Sequence, residues 1–106
     1  MVNRFSVYLL DLDGGQDGMA KNTRPCVVVS PDEMNAVLPW AIVAPLSAGD
    51  RERPTRVVVD FLNGNRLVVL DQLRTVDSSR LVKKIGELDV PVRKLIAERL
   101  IEMFSL

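Results

Sequence analysis

Residues 55–71 read TRVVVDFLNGNRLVVLD, two runs of β-branched and aliphatic side chains, 55–60 and 66–71, on either side of Asn63-Gly64-Asn65. Such side chains suit a pleated, half-buried surface, and Asn-Gly tolerates the positive φ that a tight hairpin turn demands. An antiparallel hairpin is expected here, so the neighbouring segments are read for strands that extend it.

Upstream, residues 40–46 (WAIVAPL) form a further buried strand, with Pro45 requiring a bulge or an early end. Ser30-Pro31-Asp32-Glu33 has the pattern of a helix start, with Ser30 as cap, Pro31 at the first helical position and Glu33 completing a capping box. Pro39 keeps that helix short. Arg24-Pro25 leads into CVVVS, too continuously apolar to alternate, which predicts a strand covered on both faces with Cys26 as a small buried hydrophobe. Residues 14–23 (GGQDGMAKNT) carry little to bury and read as a surface loop, with Met19 as loop filler, while residues 5–11 (FSVYLLD) read as a strand. Trp40, after a proline, is expected in the core or at a dimer interface.

Downstream, residues 80–88 (RLVKKIGEL) alternate imperfectly, with Leu81, Ile85 and Leu88 also at helical spacing; a short strand ending near Gly86 is favoured, with Lys83, Lys84 and Arg80 on a solvated face rather than forming a phosphate-binding patch. Asp89 is placed to cap a helix that has Pro91 in its first turn and Val92, Leu95, Ile96, Leu100, Met103 and Phe104 on one apolar face. The expected fold is mainly β (α+β): a small antiparallel β-barrel with one short helix and a C-terminal amphipathic helix, as a single domain over residues 1–106.

With 106 residues, 47% hydrophobic and 26% charged, the chain has the composition of one globular domain. Fourteen basic residues balance fourteen acidic ones, so a polyanion must be held by a local patch rather than by net charge. The absence of histidine excludes His-pair ribonucleases, Ser-His-Asp hydrolases and histidine-ligated zinc. One cysteine permits no internal disulfide and suits a reducing compartment, and no apolar run reaches the length of a membrane span. A cytoplasmic protein without membrane association is the expectation.

The polar residues that stand out lie at strand ends. Arg24 opens one strand, Ser47 follows another, and Asp71-Gln72 ends a third. If those strands are neighbours, the three ends line one pocket. The alternative is three ordinary rim residues: a solvated arginine, a turn-capping serine and a surface ion pair.

The same residues carry a resemblance. YLLDLD at 8–13, a glycine-rich loop, Thr23-Arg24-Pro25 before VVVS, IVAPLS at 42–47, and VVLDQLRTVDSSRLVKKIGEL at 68–88 together resemble the MazF/PemK family of toxin-antitoxin toxins. The DQLRTVD segment from Asp71 is the most specific piece, and the similarity runs over nearly the whole chain. The resemblance implies an SH3-like barrel, a homodimer, and a sequence-specific, metal-independent, ribosome-independent endoribonuclease that cuts single-stranded mRNA and is neutralised by a cognate antitoxin. No cofactor is implied. It places the family's arginine and Ser/Thr on Arg24 and Ser47, and its acidic residue and glutamine on Asp71 and Gln72. The family's first loop carries G-S-E-Q or G-H-E-Q, and this chain has Gln16 and Asp17 there but no glutamate. RNA contacts are expected from Gln16, Asp17, Lys21, Asn22, Thr23, Gln72, Arg51 and Arg53. A non-catalytic relative of CcdB type, acting by binding DNA gyrase, is the competing reading, and an inactive or regulatory relative is a third.

The chemistry agrees with the nuclease. RNA supplies its own nucleophile, the 2′-hydroxyl, so the protein must align that oxygen and stabilise charge on the phosphorane, releasing a 2′,3′-cyclic phosphate and a 5′-hydroxyl. A guanidinium grips non-bridging oxygens bidentately and stays cationic, which suits Arg24, while Ser47 donates a further hydrogen bond. Asp71 is expected to serve as base, if burial raises its pKa, or to position Arg24.

Overall fold

The computed structural model describes residues 2–13 and 22–106. The elements run β1 (Ser6–Asp11), β2 (Thr23–Val28), α1 (Asp32–Val37), β3 (Trp40–Ala48), β4 (Arg56–Asp60), β5 (Asn65–Val69), a 3-10 turn (Leu70–Gln72), β6 (Arg74–Asp77), a second 3-10 turn (Ser78–Arg80), β7 (Leu81–Glu87) and α2 (Val90–Phe104). All pairings are antiparallel, in the order β4-β5-β3-β2-β1-β7, with β6 also on β3.

The β4–β5 hairpin forms where expected, but its left-handed pair is Leu62-Asn63 (φ 55° and 60°) rather than a pair including Gly64. With Phe61 N–H donating to the Gly64 carbonyl at 2.9 Å, two positive-φ residues sit at the centre of a four-residue turn, the geometry that matches strand twist. Pro45 resolves its conflict with strand pairing differently from a bulge. It is the last β3 residue paired with β2, and from Leu46 the strand pairs with β5 on its other edge.

The expected barrel is an open curled sheet. Among the described residues no pairing joins β4 to β7. Side chains occupy that seam instead: the Phe61 ring lies over Gly86, where a Cβ would stand 2.7 Å from two ring carbons.

Both faces of β1 and β2 are apolar, as the unbroken CVVVS run predicts. Val7 and Val27 join one cluster with Leu46, Val57, Val68, Leu70 and Leu88, and α2 closes it with Ile96, which is fully buried and contributes about 1.5–3 kcal/mol. Tyr8, Leu10, Cys26 and Val28 face a second cluster with Ala41, Val43 and Val76. Phe104, expected on the inward face of α2, is 71% exposed. It lies about 100° around the helix from the centre of the stripe formed by Val92, Leu95, Ile96, Leu100 and Met103.

Ser30 does not cap α1. The cap position is Pro31, without a side-chain hydrogen bond. Ser30 is buried, its hydroxyl donating to Asn35 Oδ1 at 2.6 Å and accepting from Ile42 N–H at 3.0 Å, so it ties α1 to β3 instead of serving the helix start. Trp40 is 44% exposed at the start of β3, which removes the core placement expected for it.

Candidate active site

Arg24 is the second residue of β2 and is exposed. Its guanidinium makes only a long 3.4 Å hydrogen bond to the Thr23 carbonyl and no ion pair among the described residues. The proline after it costs no ladder bond that the strand start needs. Arg24 borders a cavity of about 350 Å³ on the second face of the sheet. Leu10, Leu12, Pro25, Cys26, Val43 and Pro45 form its apolar walls, and Arg24, Gln72 and Arg74 supply the polar groups. Among the described residues, no carboxylate is in that lining.

Ser47 lies on β3 two residues beyond Pro45 and is exposed. The β2–β3 ladder ends at Cys26↔Pro45, so Arg24 and Ser47 each lie two residues beyond its last pair, and Ser47 itself pairs with Leu67 of β5. Its hydroxyl has one long contact, 3.4 Å to the Ala48 carbonyl, and so keeps its donor available. Ser47 is outside the cavity lining itself.

Asp71 departs from what the base role needs. It sits in the 3-10 turn between β5 and β6, exposed, accepting from Thr55 Oγ1 at 2.6 Å and from Arg56 Nε at 3.2 Å. The Thr55 hydroxyl first, and the Arg56 guanidinium after it, hold its carboxyl below the usual aspartate range. The burial that would raise its pKa is absent, and its charged partner is Arg56 rather than Arg24. Its neighbour Gln72 does reach the cavity.

Asn22 and Thr23 enter β2 beside Arg24, with the Asn22 carbonyl accepting from Leu12 N–H at 2.9 Å and Thr23 paired with Asp11. Arg51 and Arg53 are exposed in the segment between β3 and β4. Gln16, Asp17 and Lys21 lie outside the described residues, as do Met19 and most of the expected first loop. The structure therefore gathers Arg24 and Gln72 at one cavity, leaves Ser47 outside its lining, two residues beyond the lining residue Pro45, and turns the Asp71 carboxylate to another partner. Arg74, on β6, is a cavity residue that strand-end reasoning missed, because the four residues of β6 bury only Val76 and give too brief a pattern to read.

The family described as PemK-like, MazF-like toxin of type II toxin-antitoxin system matches residues 3–104. The chain belongs to that family. This MazF-like toxin is 32% identical over 106 residues to endoribonuclease EndoA of Bacillus subtilis, an alignment covering 94% of this chain and 91% of the relative. It is 33% identical over 91 residues to endoribonuclease MazF of Staphylococcus epidermidis, covering 80% and 76%. Its fold matches that of an endoribonuclease from a mycobacterial species solved in complex with its cognate antitoxin, with a TM-score of 0.80, 23% identity, and coverage of 100% of this chain and 97% of the other. These relatives favour the nuclease reading over the gyrase-binding alternative.

Proposed function

We propose that this MazF-like endoribonuclease toxin cuts single-stranded RNA by internal 2′-hydroxyl attack, without a metal ion, leaving 2′,3′-cyclic phosphate and 5′-hydroxyl ends. The observation that carries this reading is the exposed Arg24 guanidinium bordering a cavity that no carboxylate among the described residues lines. Arg24 grips the scissile phosphate and stabilises the phosphorane, and Ser47 donates to a phosphate oxygen to hold it in line. Asp71, held ionised by Thr55 and Arg56, acts by fixing the turn that presents Gln72. A carboxylate with a lowered pKa is a weak base, so the proton of the 2′-hydroxyl leaves to water or to another group.

Around this centre, Asn22, Thr23, Gln72, Arg51 and Arg53 contact the RNA strand, joined by Gln16, Asp17 and Lys21 from the first loop. The family's place in type II toxin-antitoxin systems, and the antitoxin-bound mycobacterial fold relative, support a cognate antitoxin as the partner. An acidic antitoxin segment covering Arg24, Arg51 and Arg53 would block the site by charge and by occupancy. The toxin acts as a cytoplasmic homodimer, with the exposed Trp40 available to its interface.

The test is cleavage of a long single-stranded RNA in EDTA. Wild type should cut and leave cyclic phosphate ends, and Arg24→Ala should lose about 100- to 1000-fold in rate. Equal cutting by both proteins rejects the site. Toxicity retained by Arg24→Ala and Ser47→Ala without any RNA cut supports the gyrase-binding class instead.

A further inference from the structure

Arg74 shares the cavity with Arg24 but differs in setting. It opens β6, whose four residues all pair with β3, and its own partner is Val43, part of the cavity's apolar wall. Its backbone is thereby fixed at the cavity edge. Its guanidinium makes no hydrogen bond or ion pair with any described residue, whereas Arg56 is committed to Asp71. It lies near enough to the buried Cys26 thiol for its charge to be felt there. Arg74 is exposed, and an unpaired guanidinium at the edge of a cavity walled by Leu10, Cys26 and Val43 is open to a ligand that brings both an apolar face and hydrogen-bond acceptors.

We propose that Arg74 is a specificity-determining residue that reads the acceptor edge of a guanine base seated in this cavity, next to the phosphate held by Arg24. This rests on the RNA-cutting reading given above. A base rather than a second phosphate is favoured by the walls: Leu10, Leu12, Pro25 and Pro45 offer apolar surfaces to a ring face, while a phosphate set among them would lose hydration. Single-stranded RNA presents its bases splayed out, open to contact along their edges. Guanine is favoured by the donor pattern, since the parallel N–H groups of a guanidinium match the adjacent O6 and N7 acceptors, and adenine sets a donor beside N7. Gln72, on the same cavity, adds one donor and one acceptor for the rest of the base.

The experiment sequences the cut ends of one long RNA for wild type, Arg74→Gln and Arg74→Lys, with thermal melting to confirm that both variants fold. It also measures the salt dependence of binding to an uncut deoxy-substituted oligonucleotide. Wild type should show a guanine preference at one position next to the cut. Arg74→Gln and Arg74→Lys should both relax it, losing roughly 5- to 140-fold on guanine-containing sites while little affected elsewhere. Lysine fails with glutamine because it keeps the charge but not the fork. A preference that survives both substitutions overturns the proposal. So does a uniform loss across all sequences in Arg74→Gln with the salt slope reduced by about 0.7, which marks a phosphate contact. Wild-type protein that neither binds nor cuts RNA overturns this proposal and the nuclease reading together, whereas normal cutting with unchanged preference in the variants overturns this one alone.

Discussion

The Arg56 guanidinium clasps Asp71 across the β4–β5 hairpin, Nε to Oδ2 at 3.2 Å, while the hydroxyl of the preceding residue, Thr55, reaches the same oxygen at 2.6 Å. Thr55 also accepts the Leu70 N–H through its carbonyl at 2.8 Å, so the first two residues of the turn before β6 are pinned from one place. The carboxyl is held below its usual range by Thr55 first and Arg56 second.

Thr55→Val and Arg56→Gln are therefore each expected to raise the Asp71 pKa, read by NMR titration of the side-chain carboxyl. Because the folded pKa lies below the unfolded one, the stability this carboxylate confers is complete above the unfolded value of about 3.9 and is lost as pH falls through the lower folded value. The stability difference between wild type and Thr55→Val should accordingly shrink on acidification below that point. A difference that grows instead would show that Asp71 is not held ionised by these partners.

Ser47 has the geometry of a free donor, its one contact being 3.4 Å to its neighbour's carbonyl. Ser47→Ala should leave thermal stability within about 0.5 kcal/mol of wild type, as expected for an exposed substitution. Its RNA-cutting rate should fall, and Ser47→Thr should restore most of it. Loss of melting temperature in step with activity would assign Ser47 a structural role instead.

The strands and the closing helix were readable because their signals are local. β-branched runs, the Asn-Gly turn and the spacing from Val92 to Met103 each name an element without reference to the rest. What escaped depends on tertiary partners. Ser30 looks like a cap until Ile42 and Asn35 are seen to claim its hydroxyl. β6 exists because β3 offers a free edge from Trp40 to Val43, and nothing in Arg74–Asp77 announces that. At the site, Arg24 and Ser47 were legible as ends of strands that become neighbours. The partner of Asp71 was not legible, since a carboxylate between two strands could meet Arg24 or Arg56, and only the fold of the hairpin decides for Arg56.

Ser30→Ala should cost about 1–3 kcal/mol in urea unfolding, because it leaves the Ile42 N–H and the Asn35 carbonyl oxygen without their partner in a buried place. A cost near zero would mean that water replaces the hydroxyl.

Gly86 and Phe61 make the seam between β7 and the β4–β5 hairpin, and the seam leaves no room for a methyl group. A Cβ at position 86 would stand 2.7 Å from two carbons of the Phe61 ring. Gly86→Ala should then destabilise by about 1–3 kcal/mol. The double variant Gly86→Ala with Phe61→Leu should cost less than the sum of the two singles, since the smaller side chain removes the clash. Strict additivity would show that the ring moves aside freely and that the seam is loosely packed.

Cys26 is buried between Tyr8 and Pro45 on the second face of the sheet, and burial pushes its thiol up to about 12, against a small opposing pull from the charge of Arg74. At neutral pH almost none of it is thiolate, and the thiolate is the reactive form. Alkylation by iodoacetamide should therefore be negligible in the folded protein and should track the unfolded fraction as urea is added. Arg74→Gln should likewise leave native-state labelling negligible, whereas a substitution that loosened β6 would speed it. Rapid labelling of the folded wild type would place Cys26 in open contact with solvent through the cavity, and the apolar wall assigned to it would have to be redrawn.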